Sequence, residues 1–177
     1  HFGANAFVVE AADVHAEAVL QVLGKSMDTL STQALKACRQ KIELPVQTLP
    51  SIEELEQNTP LTNEVGEWSR MLLQTPERRK ETLAFEITYV TLAAGLSLLT
   101  MNGEIVTAYG LFIKQKSAGQ TLPLGYTNGM IGYIPTARHI HEGGYEAITS
   151  VPFFHMPAPF HPVIEERIYD AVKKLLH

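Results

Sequence analysis

The residues of this sequence best placed to do chemistry are one carboxylate and two phenols. Glu104 follows Asn102-Gly103 in "LLTMNGEIVTAYG", where a strand-like alternation gives way to a helical period. A carboxylate there has two readings. It is a cap favoured by exposed N–H groups and the helix dipole, worth a few tenths to about 1 kcal/mol, or a metal-ligating group held rigidly at a sheet edge. Tyr133 sits inside Gly132-Tyr133-Ile134-Pro135-Thr136, and Tyr145 inside "EGGYEA". Each is a packed aromatic beside a turn or a working phenol, and burial would not separate the two because buried phenols find hydrogen-bond partners anyway.

The stretch "GYTNGMIGYIPT" places three glycines and an Asn around Tyr126 and Tyr133. Asn128-Gly129 reads as a tight turn, since both types tolerate positive φ. That leaves Tyr126 a structural residue and makes the fixing of Tyr133 the open question. The histidines offer less. His139 and His141 would share one face of a strand and could then bind one metal, but "TARHIHEGG" reads as a helical turn, on which i and i+2 diverge. His155 and His161 stand further on, in the Pro-rich stretch "PFFHMPAPFHP". That stretch reads as a surface loop or as an apolar lip for a lipid chain. Ser69, Ser97, Ser117 and Ser150 have no evident base partner. No H-E-x-x-H, G-x-S-x-G or phosphate-binding Gly-rich loop is present.

Composition narrows the class. The 177 residues suit one domain spanning 1–177, large enough to fold without staples. A net charge of -5 with no Lys/Arg run argues against a nucleic-acid partner. Cys38 is the single cysteine, so there is neither an internal disulfide nor a cysteine zinc knuckle, and it reads as a small helix residue. The longest apolar stretch, "YVTLAAGLSLLTM", is shorter than the roughly 20 residues that span a bilayer. The opening "HFGANAF" shows no signal peptide and suggests a chain cut from something longer, with His1 an added residue.

The elements that must position these residues follow from periodicity. Residues 12–41 carry Val19, Val22, Leu23, Met27 and Leu30 at helical spacing, which predicts an amphipathic helix interrupted or kinked near Gly24. "IELPVQTLP" predicts a short edge strand, because Pro45 cannot donate to a ladder. Ser51 with Glu54 has capping-box spacing, and a further helix is expected from Thr62 until Pro76 disrupts it. Phe85, Ile87 and Tyr89 alternate with polar partners, and "LAAGLSLLT" returns as a hairpin. A helix is expected from Glu104 through Ile113, short strands over 122–134, a helical turn near 136–142, an extended "GGYEAIT", and a closing helix after Pro162. The sum is an α+β fold: N-terminal helices, an antiparallel or mixed sheet in the middle, and a C-terminal helix packing on it.

Three stretches, "MNGEIVTAYGLFIKQKS", "LGYTNGMIGYIPTARHIHEGGYEA" and "PVIEERIYDAVKKLL", together resemble the C-terminal part of the neutral/alkaline (non-lysosomal) ceramidase family, in particular its bacterial members. The resemblance covers roughly residues 84–177. It implies hydrolysis of the amide of ceramide, or of a related N-acyl substrate, at one zinc ion. It places Glu104 and Tyr133 as zinc ligands and Tyr145 as the donor facing the scissile carbonyl. Zinc accepts such oxygen ligands and, with a position left open, activates water. The family's two zinc histidines lie upstream of the position matching residue 1. The implied molecule is therefore a segment of a larger, extracytoplasmic or secreted zinc amidohydrolase, inactive without the N-terminal half of the same polypeptide. The alternative is a non-catalytic binding domain that keeps the architecture.

Overall fold

The alternation around Phe85 and Ile87 becomes the centre of a four-stranded mixed sheet. β2 (Thr82–Ala93) turns back on β3 (Leu96–Met101), and β1 (Thr32–Pro45) runs antiparallel along β2's other side. β5 (Thr121–Leu124) joins β3 in parallel, giving the order β1-β2-β3-β5. The computed structural model describes residues 2–176; His1, read above as an added residue, lies outside them. Contacts divide the chain into two compact units, residues 1–31 and 32–177. In the first, helix α1 (Phe2–Leu23) ends at Gly24, and its residues from Phe7 on are exposed.

Register explains which side of the sheet is dry. Ile42 pairs with Phe85, Ile87 with Met101, and Tyr89 with Leu99, so these side chains project from one face. Helices α4 (Thr107–Lys116) and α6 (Ile164–Leu176) cover that face. Tyr109, Ile113, Ile164, Ile168 and Val172 join Phe85, Ile87, Leu99 and Met101 in a single core. Each such large side chain, fully buried, contributes about 1.5–3 kcal/mol. The other face is polar where Arg39 and Lys41 approach Glu86 at 3.6 and 3.5 Å.

Local signals hold where they depend on near neighbours. α2 (Ile52–Asn58) starts at the Ser51–Glu54 capping box: the Glu54 N–H donates to Ser51 Oγ at 3.0 Å, and the Ser51 N–H to Glu54 at 2.6 Å. These bonds from Ser51, backbone first, hold the Glu54 carboxyl below its usual range. α3 (Glu64–Gln74) is capped by Asn63 and tied to the 150s by a Trp68 Nε1–H bond to Met156 O at 2.7 Å. Pro45 ends the edge strand β1, and no helix among the described residues is long and apolar enough to cross a membrane.

Three expectations are corrected. The helix expected over 12–41 stops at Leu23, and Thr32 onward is strand, so Cys38 is an exposed strand residue paired with Tyr89. Ala, Leu, Lys, Arg and Gln favour helix, but the ladder with β2 overrides that preference. "GGYEAIT" is not extended. Tyr145–Thr149 form a π-helical turn, entered through Gly143 and Gly144 at φ 76° and 94° and closed by the Ser150 N–H bond to Tyr145 O at 2.9 Å. Finally, Glu104 does not open a helix, because α4 begins at Thr107.

Candidate functional site

Glu104 and Ile105 form β4, a two-residue strand paired in parallel with β6 (Tyr133–Ile134). The register sets Glu104 directly against Tyr133. Its physical basis is the backbone bond from the Glu104 N–H to Gly132 O at 2.9 Å. Two glycines make that approach possible. A Cβ on Gly103 would lie 2.6 Å from Ile134 Cγ1, and one on Gly132, at φ 128°, would lie 2.7 Å from Met156 Sδ. The capping reading of Glu104 therefore gives way to a carboxylate anchored in a ladder.

The corner before β4 is tied to the main sheet. Asn102 is buried, and its Oδ1 accepts the Glu86 N–H at 2.7 Å. Residues 125–132 are bonded over this corner. The Tyr126 N–H donates to Gly103 O at 2.9 Å, the Thr127 N–H and Oγ1–H to Met101 O at 3.2 and 3.0 Å, and the Ile131 N–H to Asn102 O at 3.3 Å. Asn128, at φ 55°, sends its Nδ2 to Glu86 Oε1 at 2.9 Å. The expected turn is thus present, and its role is to fasten the Tyr126–Tyr133 segment onto the Glu104 corner.

Around Glu104 the aromatic groups are close. The Tyr133 ring meets Tyr145 edge-on at 5.7 Å between centroids and Phe154 at 5.6 Å. Tyr145 is half exposed and also touches Phe153. Partial desolvation first, and then the neighbouring Glu104 carboxylate, raise the Tyr133 phenol above its ordinary value, with Tyr145 and Glu146 adding to the shift. Tyr126 is raised as well, to about 12, chiefly through the neighbouring Glu104 carboxylate. The Glu104 carboxylate thus contributes to the upward shift of both phenols.

Glu104 and Tyr133 line a cleft of about 630 Å³ together with Val106, Leu111, Arg138, His139 and Glu146. Its lining combines apolar side chains with both signs of charge. His139 reaches this cleft from α5 (Ala137–Glu142), where Thr136 is the cap and the His139 ring Nδ1 bonds Thr136 Oγ1 at 2.9 Å. His141 instead turns its Nδ1 to Ala137 O at 2.6 Å, so the two histidines occupy different places on the helix. His155 lies at a separate cleft, and His161 Nδ1 accepts the Val163 N–H. Among the described residues no group of three His, Cys, Asp or Glu side chains is placed to hold a metal. The Pro-rich stretch is partly internal, with Met156, Ala158 and Phe160 in the core and Phe153, His155 and His161 exposed.

The structure therefore places Glu104, Tyr133 and Tyr145 in one neighbourhood, with Tyr133 touching both partners. The residue that sequence reasoning missed is Tyr126, set aside as a turn aromatic. Its proximity to Glu104 depends on pairings far apart in the chain, and the only local signal was the unusual density of backbone-permissive residues around it. Comparison with protein-family models, with curated proteins and with solved structures finds no match for this chain.

Proposed function

We propose that the chain is the C-terminal segment of a zinc-dependent amidohydrolase resembling the neutral ceramidases, acting on the amide of an N-acyl lipid or related substrate. The observation that carries the reading is the register pair Glu104–Tyr133, with Tyr145 packed edge-on against Tyr133. A carboxylate and a phenol on adjacent strands are oxygen donors of the type zinc accepts. They fit one half of a catalytic set, the remaining ligands being supplied from outside these residues. When bound there, zinc would polarise the scissile carbonyl and lower the pKa of its water towards about 7.

The chain's own residues supply the rest. The β4–β6 ladder fixes Glu104 and Tyr133 relative to each other before anything binds, which preorganises the pair. Tyr145, half exposed beside Tyr133, is placed to donate its hydroxyl to a developing oxyanion; removal of such a donor costs on the order of 2.7–4 kcal/mol in other enzymes. Val106 and Leu111 form an apolar wall on which an acyl chain would rest.

The test compares the 177-residue chain with the full coding product that contains it. The isolated chain is expected to show no amidase activity with zinc, and the full product to hydrolyse an N-acyl amide in a zinc-dependent way that Glu104→Gln abolishes. Zinc-dependent turnover by the isolated chain would overturn the segment reading. A full product that binds no zinc and hydrolyses no N-acyl amide would overturn the hydrolase reading and leave a binding domain.

A further inference from the structure

We propose that His139 is held as its Nε2–H tautomer and presents that N–H to the cleft as a donor for an uncharged oxygen acceptor, so that it binds substrate and does not ligate zinc. The box that opens α5 fixes the ring. The Thr136 N–H donates to His139 Nδ1 at 3.3 Å, Thr136 Oγ1 lies 2.9 Å from the same nitrogen, and the His139 N–H returns to Thr136 Oγ1 at 3.4 Å. A backbone N–H can only donate, so Nδ1 must accept and the neutral ring carries its proton on Nε2. Thr136 is buried, and its N–H has no other partner among the described residues. Turning the ring or moving the proton to Nδ1 would leave that donor unpaired. Two residues on, the same helix shows the reverse. His141 Nδ1 meets the Ala137 carbonyl at 2.6 Å, and a carbonyl can only accept, so that ring carries its proton on Nδ1.

Nε2 is the free nitrogen of a residue that lines the cleft with Glu104 and Tyr133. It has no partner among the described residues and is not one of the buried polar atoms left unbonded. Glu165 of α6 accepts the Ala137 N–H at 2.8 Å, which fastens the start of α5 and with it the ring. A histidine that ligates a metal through Nε2 donates its Nδ1–H to an acceptor; His139 does the opposite, and its Nδ1 is already taken. The charges nearby select the acceptor. Glu104 and Glu146 bring carboxylates to the lining, and the Arg138 guanidinium is already matched, its Nε donating to Glu142 Oε1 at 2.7 Å. An anionic group would meet those carboxylates with no unmatched cation among the described lining residues, whereas a hydroxyl or carbonyl oxygen accepts the Nε2–H without that repulsion. Capping alone does not account for the ring. Glu, the usual residue of such a box, would add a further carboxylate to the cleft, while histidine closes the box and leaves a neutral donor there.

That the acceptor belongs to a substrate rests on the hydrolase reading of the cleft; the tautomer does not. The first arm of the experiment therefore uses the 177-residue chain with ¹⁵N-labelled histidine. Long-range ¹H–¹⁵N NMR is recorded at about pH 8.5, above the ordinary histidine value of about 6.5. His139 is expected to show a bare Nδ1 and a protonated Nε2, and to keep the Nε2 proton when zinc is added. A proton on Nδ1, a rapid mixture of the two tautomers, or loss of the Nε2 proton to zinc would each overturn the proposal. The second arm follows hydrolysis of an N-acyl amide by the full coding product. His139→Glu, which retains the box but puts an acceptor at the cleft, is expected to raise KM roughly 3–10-fold with kcat nearly unchanged. His139→Gln, which retains the box and also supplies an N–H, is expected to recover most of that loss. Equal KM for all three proteins overturns the donor role. A full product that hydrolyses no N-acyl amide, with His139 protonated on Nε2 in the chain, removes the hydrolase reading and leaves the fixed donor in place.

Discussion

The two sheets of this protein are built on different physics. In the four-stranded sheet, β1 and β2 stay in register over a long antiparallel run, and the side chains of one face bury Phe85, Ile87, Leu99 and Met101 almost completely. In the β4–β6 ladder only two residues on each side pair, and three of the four side chains keep some exposure. The first is held by apolar burial that tolerates local variation. The second is held by a few backbone bonds and by glycines that let strands approach where a Cβ would collide. Its small size is what leaves Glu104 and Tyr133 partly exposed at a cleft. A stable layer carries the fold, and a minimal one appended to it presents the polar groups.

This contrast can be broken in graded steps. Phe85→Ala, at the centre of the large sheet, should lower stability by about 3–5 kcal/mol in denaturant unfolding. Gly103→Val should cost less, about 1–3 kcal/mol, because the added carbons crowd the buried Ile134 rather than empty a large volume from the core. The same variant should shift the Tyr133 ring signals in NMR, which Phe85→Ala read at equal residual stability should not. Asn102→Ala removes the acceptor of the Glu86 N–H, the link between the two layers. An unsatisfied donor there should cost about 1–3 kcal/mol, and fluorescence-monitored unfolding would read it.

The smallest effect is in alkaline titration. The folded Tyr126 phenol is held up at about 12 by the Glu104 carboxylate, above its ordinary value near 10. As pH rises from about 10 to 12, the unfolded chain gives up this proton first, so the contribution of the protonated Tyr126 phenol is intact below 10 and lost across that window. Glu104→Gln should bring Tyr126 down towards its ordinary value, read by the tyrosinate absorbance difference between the two proteins. An unchanged curve would separate the phenol from the carboxylate.

Much of the larger layer was legible because its signals are local and repetitive. Phe85, Ile87 and Tyr89 alternate, and Ser51 and Glu54 stand three apart, so period and spacing alone suffice. The β1 strand was not legible over residues 32–41, where helix-favouring residues are held extended by hydrogen bonds to β2. Glu104 was placed at a helix start for a similar reason: the period of α4 was clear, but its partner Gly132 lies far along the chain. The π-helical turn at Tyr145 has no period of its own, and its two glycines fit an extended reading equally well.

The sequence by itself determined the α+β class, the hairpin, the Ser51–Glu54 cap and the short list of residues worth asking about, Glu104, Tyr133 and Tyr145. These follow from side-chain periodicity and from what Gly, Asn and Pro allow a backbone to do, both properties of neighbouring residues. Only the tertiary structure decided that Glu104 faces Tyr133, that Asn102 ties their corner to the main sheet, and that Tyr126 belongs with them. Each of those facts is a hydrogen bond or close approach between segments remote in the chain. Such contacts form only when burial of the larger core has already brought the segments together.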